Sequence, residues 1–239
     1  MPSAPSSATA RAVVFDLDGL MFNTEELYQD VGGELLRRRG KVFTSQLLDA
    51  MMGRPNRIAL QIMIDWHTLG DTVDVLIAET EEIFVGILDA RLELMPGLAD
   101  LLGALEEAAI PKAIATSSPR RFVTNVLARF ELEPRFAFVL TSEDVVEGKP
   151  HPEIYQTAAR RLNVAPSQMM VLEDSQNGCR AAAAAGAITV AVPGGHSRQQ
   201  DFSCATLVAN TLADPRIYQI LGLARGLALP HQQRRAASS

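Results

Sequence analysis

The feature that most restricts this chain is a recurrence of short apolar runs separated by longer stretches of helical period. The first run, residues 11–15, ends in Asp16-Leu17-Asp18-Gly19. Similar runs lie at 112–115, 138–140, 169–172 and 187–192, with a weaker one at 206–209. Runs this short, bounded by turn residues, are the mark of parallel strands buried on both faces. Between them, residues 98–107, 120–130, 152–162 and 178–185 repeat apolar positions at the helical period. Strand and helix in alternation predict an α/β fold built on a doubly wound parallel sheet.

Residues 25–93 break that alternation. The pattern predicts helices near 24–39, 45–51, 57–65 and 72–88, with no convincing strand among them. An all-helical insertion directly after the first strand reads as a cap over the C-terminal edge of the sheet, where open α/β folds bind ligands. Leu94-Met95-Pro96-Gly97 marks the return to the core. The expected division is a discontinuous core, 11–24 with 94–239, and a cap, 25–93. Residues 1–10 read as a loose tail without the charged and apolar regions of a signal peptide, and 230–239 as a polar, frayed end.

Charge narrows the partners. The 28 acidic and 22 basic residues leave a net charge of −6, which disfavours bulk attraction to nucleic acid or an anionic membrane. The longest uncharged stretch, 181–197, is interrupted by Gly186, Pro193, Gly194 and Gly195, so no membrane span is expected. Cys179 and Cys204 have neither metal-ligand spacing nor the number for a disulfide framework. A reducing, cytoplasmic setting follows as the simplest expectation, with a small molecule as partner and a monomer or weak dimer as the working state.

Four groups at or just beyond strand ends carry chemistry. Asp16 and Asp18 face the same way in extended chain and repel unless a cation or proton separates them, which fits a hard divalent ion such as Mg²⁺. Either can equally cap a helix or sit solvated in a turn. Thr116-Ser117-Ser118 offers hydroxyls and amides to phosphate oxygens at a strand-to-helix turn, or simply caps the helix near Arg120. Lys149, between Gly148 and Pro150, can neutralise an aspartate and a phosphate, or lie in solvent. Glu173-Asp174-Ser175 supplies further carboxylates, or caps the alanine-rich helix that follows.

In this order and at these strand ends, the four groups resemble the haloacid dehalogenase superfamily. The closer resemblance is to the branch with a helical C1-type cap after the first strand, β-phosphoglucomutase-like proteins and sugar-phosphate phosphatases. The resemblance spans residues 11–210 and rests on Phe15-Asp16-Leu17-Asp18-Gly19, Thr116-Ser117-Ser118, Gly148-Lys149-Pro150 and Glu173-Asp174-Ser175. It implies a Mg²⁺-dependent phosphatase acting on a small phosphorylated metabolite, a sugar phosphate among the candidates. Asp16 would attack phosphorus and become a phospho-aspartate, and Asp18 would act as general acid and then base. The side chain of Asp16, the backbone carbonyl of Asp18, and Asp174 would hold Mg²⁺, with Glu173 a further candidate ligand. Thr116 and the Ser117 amide would bind the transferring phosphoryl group, and Lys149 would balance charge.

By the same resemblance, dehalogenases lack the second aspartate, so Asp18 points to phosphoryl transfer. Mutases of this branch carry a histidine twelve residues after the nucleophile; Tyr28 stands there, which favours hydrolysis over the alternative of a phosphomutase. A non-catalytic binding module is the remaining alternative. Asn23 replaces an aspartate usual in relatives and is expected to affect the cap hinge. Residues 52–57 correspond to a substrate-facing cap loop, in which Arg54 or Arg57 could contact the substrate or merely face solvent. His151 and Arg120 flank the proposed site. Trp66, Met51, Met52 and Met63 read as packing residues, and Cys179 as a small buried one.

Overall fold

The structure, a computed structural model, describes residues 10–51 and 56–223, leaving aside the side chains of Glu25 and His196. Strand β1 (Ala12–Phe15) is followed by four consecutive helices, α1 (Thr24–Arg37), α2 (Ser45–Met51), α3 (Asn56–His67) and α4 (Val73–Arg91). The alternation then begins: α5 (Leu98–Glu107), β2 (Lys112–Ala115), α6 (Arg120–Ala128), β3 (Val139–Leu140), α7 (Glu153–Leu162), β4 (Met169–Glu173), α8 (Gln176–Ala184), β5 (Ile188–Ala191), β6 (Leu207–Val208) and α9 (Pro215–Ile220). The strands form one parallel sheet in the order β3-β2-β1-β4-β5-β6, with Phe15 in register with Ile114 on one side and Leu172 on the other.

Apolar residues occupy the central strands because both sheet faces are covered, and alternate residues serve opposite layers. Val13, Phe15, Ile114 and Leu172 join Leu98 and Leu101 of α5 and Val123 of α6. Val14, Ala113, Ala115 and Val171 meet Tyr155 and Ala158 of α7 and Ala181 and Ala182 of α8. Alanines on both helices permit close approach there, with Ile154 and Tyr155 the larger buried side chains that α7 supplies. The first layer continues through Phe22 and Leu27 into the helical insertion, where Leu35, Met63, Leu76 and Phe84 extend it.

Two chain crossings join the insertion to the sheet. Phe22 and Leu94 form an antiparallel bridge, and the Met95 amide donates to the Met21 carbonyl at 2.9 Å. Asn23 secures the crossing from both sides: its side chain donates to the Arg91 carbonyl at 3.1 Å and accepts from the Glu93 amide at 2.9 Å.

Strand positions agree with the apolar runs: β2 matches its run, β4 gains Glu173, and the other four are shorter by one or two residues. Helices α3 and α4 run past the expected ends at 65 and 88, to His67 and Arg91. Helix α9 was not expected. Its start is nonetheless written in the chain, since Asp214 accepts from the Arg216 amide at 2.9 Å and Pro215 occupies the first helical position. Among the described residues, no helix is long and apolar enough to cross a membrane.

Candidate active site

The C-terminal ends of β1, β2 and β4 converge, and each delivers polar side chains from the first residues at or past the strand. Asp16 directly follows β1, Thr116 follows β2, and Glu173 closes β4 with Asp174 after it. All four are buried. A loop before α7 brings Lys149 between them, and its ammonium donates to Asp16 Oδ1 at 2.5 Å, Glu173 Oε1 at 2.6 Å and the Ala115 carbonyl at 3.0 Å. Burial by itself would push Lys149 down. The carboxylates of Asp16 and Glu173 outweigh it and hold the ammonium above its ordinary range.

Asp18 is held from the neighbouring end of β2. Ser118 Oγ donates to Asp18 Oδ2 at 2.5 Å and Thr116 Oγ1 does so at 3.4 Å, while the Ser118 amide donates to Thr116 Oγ1 at 3.1 Å. Asp18 Oδ1 is buried without a hydrogen-bond partner among the described residues. Gly19, at φ 72°, turns the chain so that its amide donates to Thr24 Oγ1 at 3.2 Å. Burial raises Asp18 above the usual carboxylate range, with the Ser118 and Thr24 hydroxyls working against it. A carboxyl so placed is suited to carrying a proton.

Asp16, Glu173 and Asp174 each bring one carboxylate oxygen within 4.8 Å of the others. Burial raises Asp16 well above its ordinary value; Lys149 opposes this, and the charges of Glu173 and Asp18 reinforce it. One ammonium does not balance these acids, and an all-oxygen donor set of this compactness fits a hard divalent cation such as Mg²⁺. Glu173 differs from the other two. Its Oε1 accepts from Lys149 and from the Tyr155 hydroxyl, and its Oε2 from Ser175 Oγ at 3.1 Å. Ser175 also caps α8 by accepting from the Gly178 amide at 3.1 Å.

Asp16, Asp18, Thr116, Lys149, Glu173 and Asp174 are thus brought together. Ser117 lies beside them on an exposed turn. Arg54, with Met52, falls outside the described residues. Arg57 is engaged at the surface with Asp74 at 2.6 Å, His151 is exposed against Glu147 at 2.9 Å, and Arg120 pairs with Asp144. Met63 and Cys179 are buried as expected, whereas Trp66 keeps half its surface in solvent because it falls on the outer side of α3. Three contributors were not read from the sequence: Ser118 as a partner of Asp18, Thr24 at the Gly19 turn, and Tyr155 behind Glu173. Ser118 belongs to a recognised motif, and Thr24 follows Asn23, which the resemblance singles out. Tyr155 carries no such mark, for it sits on the apolar face of α7.

Comparison with known proteins agrees with this arrangement. The family model described as haloacid dehalogenase-like hydrolase matches residues 10–186. A phosphorylated carbohydrates phosphatase of Thermotoga maritima is 34% identical over 175 residues, covering 73% of this chain and 81% of that protein. A probable pseudouridine-5′-phosphatase of Drosophila melanogaster is 34% identical over 207 residues, covering 84% and 89%. Among solved structures, a putative beta-phosphoglucomutase from Thermotoga maritima superposes with a TM-score of 0.77 at 29% identity, over 91% of this chain and all of that one. With sheet order, strand-end acids and family match in accord, the chain belongs to the haloacid dehalogenase-like hydrolases and is a phosphoric monoester hydrolase.

Proposed function

We propose that the protein is a Mg²⁺-dependent phosphatase that hydrolyses a small phosphorylated metabolite through a phospho-aspartate on Asp16. The observation that carries this reading is the Asp16–Lys149 pair at 2.5 Å, set beside Asp18 and the Thr116 turn at one end of the sheet. Relatives named for phosphorylated carbohydrates and for pseudouridine 5′-phosphate support the choice of substrate class.

In the first half-reaction a carboxylate oxygen of Asp16 bonds to phosphorus as the ester P–O bond breaks. Lys149, holding Oδ1, fixes the carboxylate's orientation and offsets charge gathering on the phosphoryl oxygens. Asp18, anchored through Oδ2 by Ser118 and Thr116, gives its proton to the leaving oxygen. In the second, water attacks the phospho-aspartate, Asp18 takes the water's proton, phosphate departs and Asp16 is restored. Thr116 and the Ser117 amide at the strand-to-helix turn bind the phosphoryl oxygens. The side chains of Asp16 and Asp174, with the Asp18 carbonyl, would hold Mg²⁺, which supplies electrostatic stabilisation of the transferring phosphoryl group. Glu173, with both oxygens already engaged, is better placed to anchor Lys149 than to bind the ion.

Hydrolysis is favoured over phosphoryl shuttling because the ring at position 28 is a phenol packed on Phe84 at 4.8 Å, with no imidazole to move protons near neutral pH. The helical insertion acts as the cap, and the core and cap meet at the crossing secured by Asn23. The test is phosphate release from a panel of phosphorylated metabolites, with Mg²⁺ and then with EDTA. Release that EDTA abolishes, and that Asp16→Asn lowers at least 1,000-fold, is expected; substantial turnover by Asp16→Asn would sink the covalent mechanism.

A further inference from the structure

One aromatic group beside the reaction centre has no part in the chemistry above. Tyr28 of α1 stacks on Phe84 of α4, with centroids 4.8 Å apart and planes 20° apart. Phe122 of α6 completes the group, 5.5 Å from Phe84 and 6.5 Å from Tyr28. Two of the rings come from the insertion and the third from the sheet domain, so the group lines the seam between them.

Its place relative to Asp18 follows from helix geometry. Thr24, whose hydroxyl accepts from Gly19 beside Asp18, lies four residues before Tyr28, so the two share a helical face about 6 Å apart. Phe122 lies in the first turn of α6, which starts two residues after Ser118, the residue that holds Asp18. Both neighbours of the acid therefore lead within a few residues to a ring of this group, Thr24 along one turn of α1 and Ser118 through the start of α6. Asp18 is the residue that meets the leaving group, so the rings stand on the leaving-group side of the phosphoryl site.

Exposure shows which ring is available. Phe84 is 7% exposed, whereas Tyr28 is 47% exposed. Protein crowds Tyr28 nonetheless: burial, then the charge of Asp18, holds its phenol above the ordinary range. Half of the ring is thus open to solvent at the seam while protein stands close around the rest. One face is taken by Phe84 in a near-parallel stack. A further flat ring extends such a stack, whereas a saturated chain or the edge of a sugar offers less matching area.

We infer that Tyr28, backed by Phe84 and Phe122, is a stacking shelf for the leaving group, selecting phosphate monoesters that carry a flat aromatic ring directly or through a sugar. This rests on the phosphatase reading. It makes Tyr28 a specificity-determining residue at the position where a mutase of the resembling branch would carry its histidine.

The experiment compares wild type, Tyr28→Leu and Tyr28→Phe on p-nitrophenyl phosphate, uridine 5′-monophosphate, glucose 6-phosphate and glycerol 3-phosphate. In Tyr28→Leu, kcat/KM for the two ring-bearing esters should fall five- to tenfold relative to glycerol 3-phosphate, mostly through KM. Tyr28→Phe should keep the ratio within twofold. Phe122→Leu, which weakens the shelf from the core side, should move it in the same direction and serves if Tyr28→Leu melts early. An unmoved ratio, or an equal loss on glucose 6-phosphate, overturns the shelf and leaves the phosphatase reading standing. If wild type releases phosphate from none of the four, these esters are not its substrates and binding replaces the turnover ratio. Calorimetric binding of uridine 5′-monophosphate to wild type and Tyr28→Leu then decides the shelf, because equal affinities overturn it and a five- to tenfold weakening supports it.

Discussion

At the scale of single residues, Glu173 shows how a functional motif is fixed by neighbours it does not announce. Its carboxylate is fully buried, and Tyr155, Lys149 and Ser175 satisfy it. It also lies directly over Gly178: a Cβ added there would stand 1.9 Å from Glu173 Cδ. Gly178→Ala therefore sets two effects against each other. Helix propensity favours alanine by up to about 1 kcal/mol. Displacing a carboxylate held from both sides resembles overpacking a core, at about 1–3 kcal/mol, and the clash should win. The expected outcome is a net loss of about 1–2 kcal/mol in denaturant unfolding. Because Lys149 moves with Glu173, kcat should also fall at least tenfold. Full activity at wild-type stability would show that the carboxylate can move without consequence. Asp16 and Asp18 were legible as a close acidic pair at a strand end, and Lys149 only as one member of the ordered set of four motifs. Tyr155 was not, since a tyrosine among the apolar residues of α7 reads as core until its hydroxyl is seen to reach Glu173.

At the scale of elements, the start of β2 depends on the end of α5. Lys112 begins the strand with its ammonium buried, and Glu106 in the last turn of α5 accepts from it at 2.9 Å and from Arg135 at 2.8 Å through both oxygens. Arg135 first, then Lys112, holds the Glu106 carboxyl down at about 2 against an ordinary 4.5. A folded-state value below the unfolded one means stability that is present above about pH 4.5 and lost as pH falls towards 2. Glu106 is partly exposed, so solvent tempers the effect. Glu106→Gln should be less stable than wild type at pH 7, with the difference narrowing as pH drops from 5 to 2. Urea unfolding across that range checks it; a gap that widens on acidification contradicts the assignment. The strands themselves were legible as apolar runs because burial on both faces tolerates little else. Helix α9 escaped notice because its six residues are shorter than two full turns of pattern, and only the Asp214-Pro215 start betrays it.

At the scale of the molecule, the seam between insertion and sheet domain is where sequence and geometry combine. Alongside the aromatic group, Asp89 of α4 pairs with Arg129 beyond the end of α6 at 2.5 Å, and Glu81 with Arg121 at 3.6 Å. The exposed Glu81–Arg121 pair contributes little, so the apolar contact and the crossing strands carry the joint. Asn23 can donate to Arg91 and accept from Glu93 at once, which an aspartate cannot. Asn23→Asp removes the donor, at about 1 kcal/mol, and sets a negative oxygen against a carbonyl. A carboxylate at the start of α1 returns about 0.3–1 kcal/mol through the helix dipole. Global stability should therefore change by less than about 1 kcal/mol. The crossing itself should loosen, with hydrogen exchange several-fold faster at the Glu93 and Met95 amides and unchanged in β1. Uniform exchange rates across the crossing would contradict the role given to Asn23.

What the sequence alone determined is the alternation of strands and helices, the helical break after β1, and the polar groups stationed at strand ends. These are local matters: period, run length and residue type are readable within a dozen residues of chain. Tertiary structure alone decided which oxygens each acid has left to offer, that Lys149 stands between Asp16 and Glu173, and that Tyr28, Phe84 and Phe122 meet across the seam. Those relations join residues tens to more than a hundred positions apart. Their distances are set by the order and register of the sheet, and no local pattern encodes them.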